Sequence, residues 1–130
     1  PGAMRPAILD ASALLALLLD EPGADIVAEH LDGARISAVN LAEAGAKMVE
    51  RGASLDLVER EVHAAAIVVV PFDEASALET ARLRPATRAY GLSLGDRACL
   101  ALARRLGGFA LTSAAAWAAP DLDIEIRLIR

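Results

Sequence analysis

The sequence predicts an α/β fold, a three-layer α/β/α domain with a mainly parallel central sheet, and three observations carry that expectation. The first is Ala7-Ile8-Leu9-Asp10, three apolar residues stopped by a carboxylate and followed closely by the apolar helical run Ala13–Leu19. A parallel strand buried on both faces hands over to its helix in this way. The second is Ile67-Val68-Val69-Val70-Pro71, four β-branched residues ended by proline. The third is the alternation of strand-like and helix-like stretches along the chain, which calls for crossover helices on both faces of the sheet.

Taken in order, strand one ends at Asp10 and passes into a helix that runs to Leu19. Glu21-Pro22-Gly23 is a turn, and Ala24 to Leu31 is a second helix with Ile26 and Val27 inward. Arg35 to Val39 is a second strand. A third helix runs from Asn40 to Glu50 and closes at Arg51-Gly52, the order expected of a helix C-terminus. Ser54 to Ala66 is a fourth helix leading into the strand at Ile67. Asp73 to Arg84 is a helix stopped by Pro85. Tyr90 to Ser93 is a loop into the helix Leu94 to Leu106, which Gly107-Gly108 ends. Phe109 to Thr112 is a short strand, Ala114 to Trp117 a helical turn, and Ile124 to Ile129 an alternating strand at the sheet edge.

At 130 residues the chain is long enough to bury one core, and residues 5–130 are read as a single domain. With 55% hydrophobic but only 3% aromatic residues, that core has to be aliphatic. Cys99 is the only cysteine, which excludes an internal disulfide, a zinc knuckle and a CxxC pair, and points to a reducing cytoplasm. The only long apolar run, Ala11 to Leu19, falls short of the roughly 20 residues of a membrane span. No membrane partner is therefore expected. Nothing ahead of the first strand has the charged and apolar regions of a secretory leader. Pro1-Gly2-Ala3 before Met4 reads as an expression-vector remnant, with the native start at Met4. The net charge of -5 repels nucleic acid in bulk, so contact with RNA or DNA needs a local basic patch or bound cations.

Four helix starts contain or adjoin acids or hydroxyls: Asp10 with Ser12, Asn40 with Glu43, Ser93 with Asp96, and Thr112 with Ser113. Helix capping explains each by itself. Asn40-Leu41-Ala42-Glu43 and Ser93-Leu94-Gly95-Asp96 have or approach the spacing at which two side chains satisfy free backbone amides reciprocally. Asp96 stands apart, because the helical period places it on the face of Cys99, Leu100 and Ala103, where an acid needs a cation, a metal or several donors. Glu43 projects away from the Leu41, Ala44, Gly45 and Met48 stripe, towards solvent. If these helices present their N-termini at one sheet edge, where open α/β sheets bind ligands, Asp10, Glu43 and Asp96 converge. Carboxylates about 4 Å apart repel by about 4 kcal/mol at an effective dielectric of about 20. Such hard oxygen donors select Mg²⁺ or Mn²⁺ over zinc. His30 and His63 lack zinc-site spacing and are read as ordinary helix residues.

Ile8-Leu9-Asp10-Ala11-Ser12-Ala13-Leu14, Ala38-Val39-Asn40-Leu41-Ala42-Glu43, Ser93-Leu94-Gly95-Asp96-Arg97 and on to Ala103, and Ala110-Leu111-Thr112-Ser113 with Trp117 resemble, in order and spacing, the four signature segments of PIN-domain ribonucleases. The likeness is greatest to the VapC-type toxins of VapBC toxin-antitoxin pairs. It implies a PIN-like domain and a Mg²⁺- or Mn²⁺-dependent endoribonuclease that cleaves RNA. It also implies a homodimer and inhibition by a cognate VapB-type antitoxin, with operator DNA reached only through that antitoxin. By the same resemblance Asp10, Glu43 and Asp96 are the catalytic, metal-binding acids, and Ser12, Asn40 and Thr112 support them. The motif places no histidine, lysine or tyrosine as general base, and the chain has no Gly-rich phosphate loop. Water activation, phosphate orientation and charge neutralisation then fall to one or two bound ions.

The chain departs from the family pattern two residues after Thr112, where an acid is usual and Ala114 stands. An altered site, engineered or natural, implies weaker metal binding and reduced cleavage, unless Asp121 or Asp123 compensates. Ala114 also favours a competing reading, a catalytically silent PIN-like module that binds an antitoxin and acts in operator autoregulation. Arg82, Arg84 and Arg88 around Pro85 are candidate phosphate contacts, set against the plainer reading of a solvated helix end. A phosphotransferase of the haloacid dehalogenase type needs a second acid where Ser12 stands, and a receiver domain needs adjacent acids and a late lysine; the chain has neither. The mean hydropathy of +0.41 points to helix surface covered by a partner, expected on the first four helices.

Overall fold

The computed structural model describes residues 5–130. Its strands are β1 (Ala7–Leu9), β2 (Arg35–Ser37), β3 (Val68–Val70), β4 (Phe109–Thr112) and β5 (Glu125–Leu128). They form one sheet in the order β3-β2-β1-β4-β5, every neighbouring pair parallel. Around it lie α1 (Ala11–Leu19), α2 (Ala24–Glu29), α3 (Ala38–Glu50), α4 (Leu55–Ala64), α5 (Glu74–Arg82), α6 (Arg84–Thr87) and α7 (Leu94–Leu106), with 3-10 turns at Arg88–Tyr90 and Ala115–Ala118. Residues 1–4, read as a vector remnant, lie outside the described residues. Among the described residues no helix is long and apolar enough to cross a membrane.

Strand alternation divides the core in two. Leu9, Ile36 and Leu111 face one side, where they pack with Leu14, Val27, Met48 and Val62. Ile8 and Ala110, partners in the β1–β4 register, face the other and meet Leu100, Cys99 and Trp117. The sheet is thus covered on both faces by aliphatic side chains, each worth about 1.5–3 kcal/mol when fully buried. The strand order matters most for function. From β1 the chain steps outward to β2 and β3, then returns to place β4 on the other flank of β1. The carboxyl ends of β1 and β4 therefore border the switch point of the sheet, the usual ligand crevice of such folds.

Several boundaries differ from the sequence expectation: the second helix ends at Glu29 rather than Leu31 and the last strand spans Glu125–Leu128, and three further differences have a local reason. β2 stops at Ser37 rather than Val39, because the Ser37 hydroxyl accepts the Val39 N–H at 3.2 Å and caps α3 three residues before Asn40. The fourth helix ends at Ala64, and Ala66 takes the left-handed conformation with φ 57, through which an α-helix does not continue. Pro85, expected to stop a helix, instead sits in the first turn of α6, where its missing N–H has no intrahelical acceptor to lose.

Candidate functional site

Asp10 follows β1 directly and is the N-cap of α1, with extended backbone and only 5% exposure. Its Oδ1 accepts the Ala13 N–H at 2.8 Å and the Ser12 hydroxyl at 2.7 Å, while its Oδ2 accepts the Thr112 hydroxyl at 2.6 Å. Both hydroxyls are themselves acceptors: Ser12 Oγ takes the Ser113 N–H and Thr112 Oγ1 takes the Ala114 N–H, each at 3.0 Å. The end of β4 is thereby tied through two hydroxyls to the acid at the end of β1. A carboxylate offers about four acceptor sites, and these contacts leave one open on Oδ2. Burial pushes the Asp10 carboxyl above its ordinary range and the charge of Asp96 adds to this, against the opposing pull of Thr112, Ser12 and Ala13.

Asp96 is half-buried in the first turn of α7. The capping box read from the sequence is present: the Ser93 N–H donates to Asp96 Oδ2 at 2.8 Å, and the Asp96 N–H donates to Ser93 Oγ at 3.2 Å. Asn40 and Glu43, read as a second capping box, do not form one, because Ser37 has already taken that role. Asn40 is instead buried within the first turn of α3, and its Nδ2 donates to Glu43 Oε1 at 3.2 Å and across to the Gly95 carbonyl of α7 at 3.0 Å. Glu43 lies on the exposed side of α3 as its period requires, yet its carboxylate rests against Gly95. Desolvation there raises the Glu43 carboxyl above its ordinary range; the amide of Asn40 and the charge of Lys47 oppose it, while Asp96 and Asp10 reinforce it.

Asp10, Glu43 and Asp96 line one pocket of about 280 Å³, together with Ser12, Asn40, Lys47, Ser93, Ser113 and Ala114. Lys47 is the one cation among the lining residues, against three carboxylates. Sequence reasoning gave no role to Lys47 or Gly95. The four-residue spacing of Glu43 and Lys47 was a usable signal for the first, whereas nothing local to residue 95 announces the second. The donor set fits a hard divalent cation by its oxygen chemistry and its uncompensated charge. Among the described residues no three acid, histidine or cysteine groups are drawn together closely enough to hold an ion unaided. That is compatible with Mg²⁺, which retains several waters and is commonly held by only one or two carboxylates.

The other candidates lie elsewhere. Arg82, Arg84 and Arg88 are exposed, and none lines the acidic pocket. Asp121 and Asp123 border a separate depression with Arg5, so neither replaces the acid absent at Ala114. His30 caps the end of α2 with its ring edge-on to Phe109 at 5.4 Å, and His63 sits on α4, away from the acids. A larger groove of about 880 Å³ runs along α3 and α4, walled by Leu41, Gly45, Val49, Leu55, Val58 and Val62. It falls within the helices expected to meet a partner, and Val49 and Leu55 are 48% and 59% exposed there.

The family profile of the PIN domain matches residues 7–116. No curated protein matches the chain by sequence. Among solved structures it is similar to the DNA-bound VapBC of Salmonella typhimurium, with a TM-score of 0.75 at 18% identity over 98% of this chain and 100% of that one. It is similar also to VapBC2 of Rickettsia felis bound to a DNA fragment from their promoter, at 0.71 and 11% over 95% and 98% of the two chains. A third such structure is VapBC-5 of Mycobacterium tuberculosis, at 0.61 and 23% over 98% and 99%. At these identities the likeness speaks for the fold.

Proposed function

The chain belongs to the PIN domain family, and from that premise we propose that it is the toxin of a VapBC-type pair, an endoribonuclease dependent on Mg²⁺ or Mn²⁺. The observation that carries this reading is the convergence of Asp10, Glu43 and Asp96 in one pocket at the switch point of the sheet. Asp10, Asp96 and Glu43 would hold the cation together with its own waters; when bound, the ion would supply an activated water and neutralise phosphate charge. Thr112 and Ser12 fix the Asp10 carboxylate in place. Lys47 offers the pocket its one fixed positive charge for a phosphate. Arg82, Arg84 and Arg88, exposed on the segment leading to Ser93, take phosphates of the RNA further along the strand.

Partners follow from the apolar groove. A VapB-type antitoxin lays an apolar segment along α3 and α4, the toxin pairs with a second copy of itself, and operator DNA is engaged through the antitoxin. That the similar Salmonella and Rickettsia structures are VapBC complexes bound to DNA supports an antitoxin partner and an association with DNA. The cytoplasm is where such a pair would act. Ala114, on the pocket wall where an acid is usual, is the specific observation behind the second reading, a silent module that binds its antitoxin without cutting RNA.

One experiment separates the two. Purified protein is incubated with a panel of structured RNAs in Mn²⁺, then with chelator, beside an Asp10→Asn variant. Cleavage that chelator stops and Asp10→Asn lacks supports the nuclease. Antitoxin binding with no metal-dependent cleavage of any RNA rejects it in favour of the silent module.

A further inference from the structure

We propose that Gly95 is the seat of the Glu43 carboxylate and that Asn40 clasps it there, so that both are positioning residues for the acidic pocket; this rests on the nuclease reading of that pocket. On α3 the buried line is Asn40, Ala44, Gly45 and Met48, so Glu43 by period belongs to solvent, where a glutamate keeps its rotamer freedom. Two features withdraw that freedom. α7 has no side chain at residue 95, and the Glu43 carboxylate occupies the space: a Cβ built there would stand 2.2 Å from Oε1 and 2.5 Å from both Cδ and Oε2. From α3, Asn40 commits both hydrogens of its amide nitrogen, one to Glu43 Oε1 and one to the Gly95 carbonyl.

The amide orientation is fixed by chemistry, since exchanging oxygen and nitrogen would set Oδ1 against two acceptors. In this orientation Asn40 Oδ1 is buried without a partner. An unsatisfied buried acceptor is costly, and a small apolar residue would avoid it, so Asn40 is present for its two donors. The clasp sets Glu43 beside Asp96 at the start of α7, where the helix dipole favours a carboxylate.

The clash at residue 95 involves the far end of an exposed, flexible side chain rather than backbone, so a substitution there moves Glu43 and spares the fold. The test compares the native chain with Gly95→Ala, Glu43→Asp, the double variant and Asn40→Leu. The readouts are Mn²⁺ calorimetry, thermal denaturation, and the NMR contact between the Glu43 side-chain methylenes and the residue 95 α-protons. Gly95→Ala is expected to keep or raise its Tm, since alanine is the better helix former, to lose the NMR contact, and to bind Mn²⁺ about tenfold more weakly. Glu43→Asp withdraws the carboxylate by one methylene and should cost less affinity in the Gly95→Ala background than in the native one. Asn40→Leu should show the same loss of contact and affinity; if it does not fold, Gly95→Ala decides alone. Native-like Mn²⁺ affinity in Gly95→Ala, or effects of the two substitutions that simply multiply, overturns the proposal. If the native chain takes no Mn²⁺ at all, the nuclease reading fails, and the seat then stands or falls on the NMR contact in the metal-free protein.

Discussion

Replacing Thr112 by valine should destabilise the protein more at neutral pH than in acid, and the difference measures how far this hydroxyl supports a charge. Thr112 is fully buried, so the isosteric valine opens no cavity and the loss is confined to two hydrogen bonds. The bond to Asp10 Oδ2, at 2.6 Å, is charge-assisted when the carboxyl is ionised and is then worth about 1.5–3 kcal/mol. The Ala114 N–H that loses its acceptor is only half-buried, and adds about 0.5–1 kcal/mol. The sum is about 2–4 kcal/mol, which for a chain of this length lowers Tm by roughly 6–12 °C. At and below the ordinary aspartate value of 3.8 the protonated form of the raised Asp10 carboxyl prevails, the bond to it is mostly neutral, and the whole loss shrinks to about 1–2 kcal/mol. Calorimetric melting of native and variant protein at both pH values, without divalent ions, reads the two losses. Equal losses would refute the reasoning, because Thr112 would then be supporting shape and not charge.

Three further outcomes are expected. Restoring an acid with Ala114→Asp should tighten Mn²⁺ binding and raise chelator-sensitive RNA cleavage by tenfold or more, about the scale of a metal-shell group; unchanged affinity and rate would show that the position is idle. The folded-state carboxyls of Asp10 and Glu43 lie above their ordinary values, so each favours the fold in acid and loses that contribution as pH rises through its folded value. In chelator Asp10→Asn should therefore melt above the native protein at neutral pH, with the advantage fading towards pH 3.8, and saturating Mn²⁺ should reverse the order. A native protein that melts higher than Asp10→Asn in chelator at neutral pH would contradict this. Charge reversal at Arg84 and Arg88 should weaken RNA binding and flatten its salt dependence by about 2 in log–log slope; an unaltered slope removes both as phosphate contacts.

How much of this was legible in the sequence depends on whether the decisive neighbour is local. Asp10 could be read from its own strand, because an apolar triplet ending in an acid already says where the acid sits in a parallel sheet. The Ser93–Asp96 capping box could be read because both partners share one helical turn. Glu43 could be read from the resemblance but not from its own helix: a period describes a side chain relative to that helix, and what holds Glu43 is a gap on α7 that exists only once α3 and α7 cross. The misread box at Asn40 has a related cause. Two residues with capping chemistry, Ser37 and Asn40, stand three apart; the strand ended early enough for the first to be used, which freed the second to reach α7. Asp121 and Asp123 were near Ala114 in sequence, but the 3-10 turn Ala115–Ala118 separates them from the pocket wall.

The three acids are unequal in what keeps them in place, and that sets how the pocket behaves without its ion. Asp10 and Asp96 each accept a free backbone N–H at a helix start, Asp10 as the cap of α1 and Asp96 within the box of α7. Such contacts hold both carboxylates where a helix start is electrostatically favourable to an acid, whether or not a cation is present. Both are thus fixed by the same bonds that begin their helices, and moving either would fray the fold. Glu43 has no such second duty, since Ser37 caps its helix. The Asn40 amide, the charge of Lys47 and the empty side of Gly95 hold it beside two like charges. Without the ion the strand ends and both helix starts should stay intact, and Glu43 should stay seated through the clasp of Asn40 and Gly95, so in Gly95→Ala or Asn40→Leu its side chain is the first part of the site to lose order.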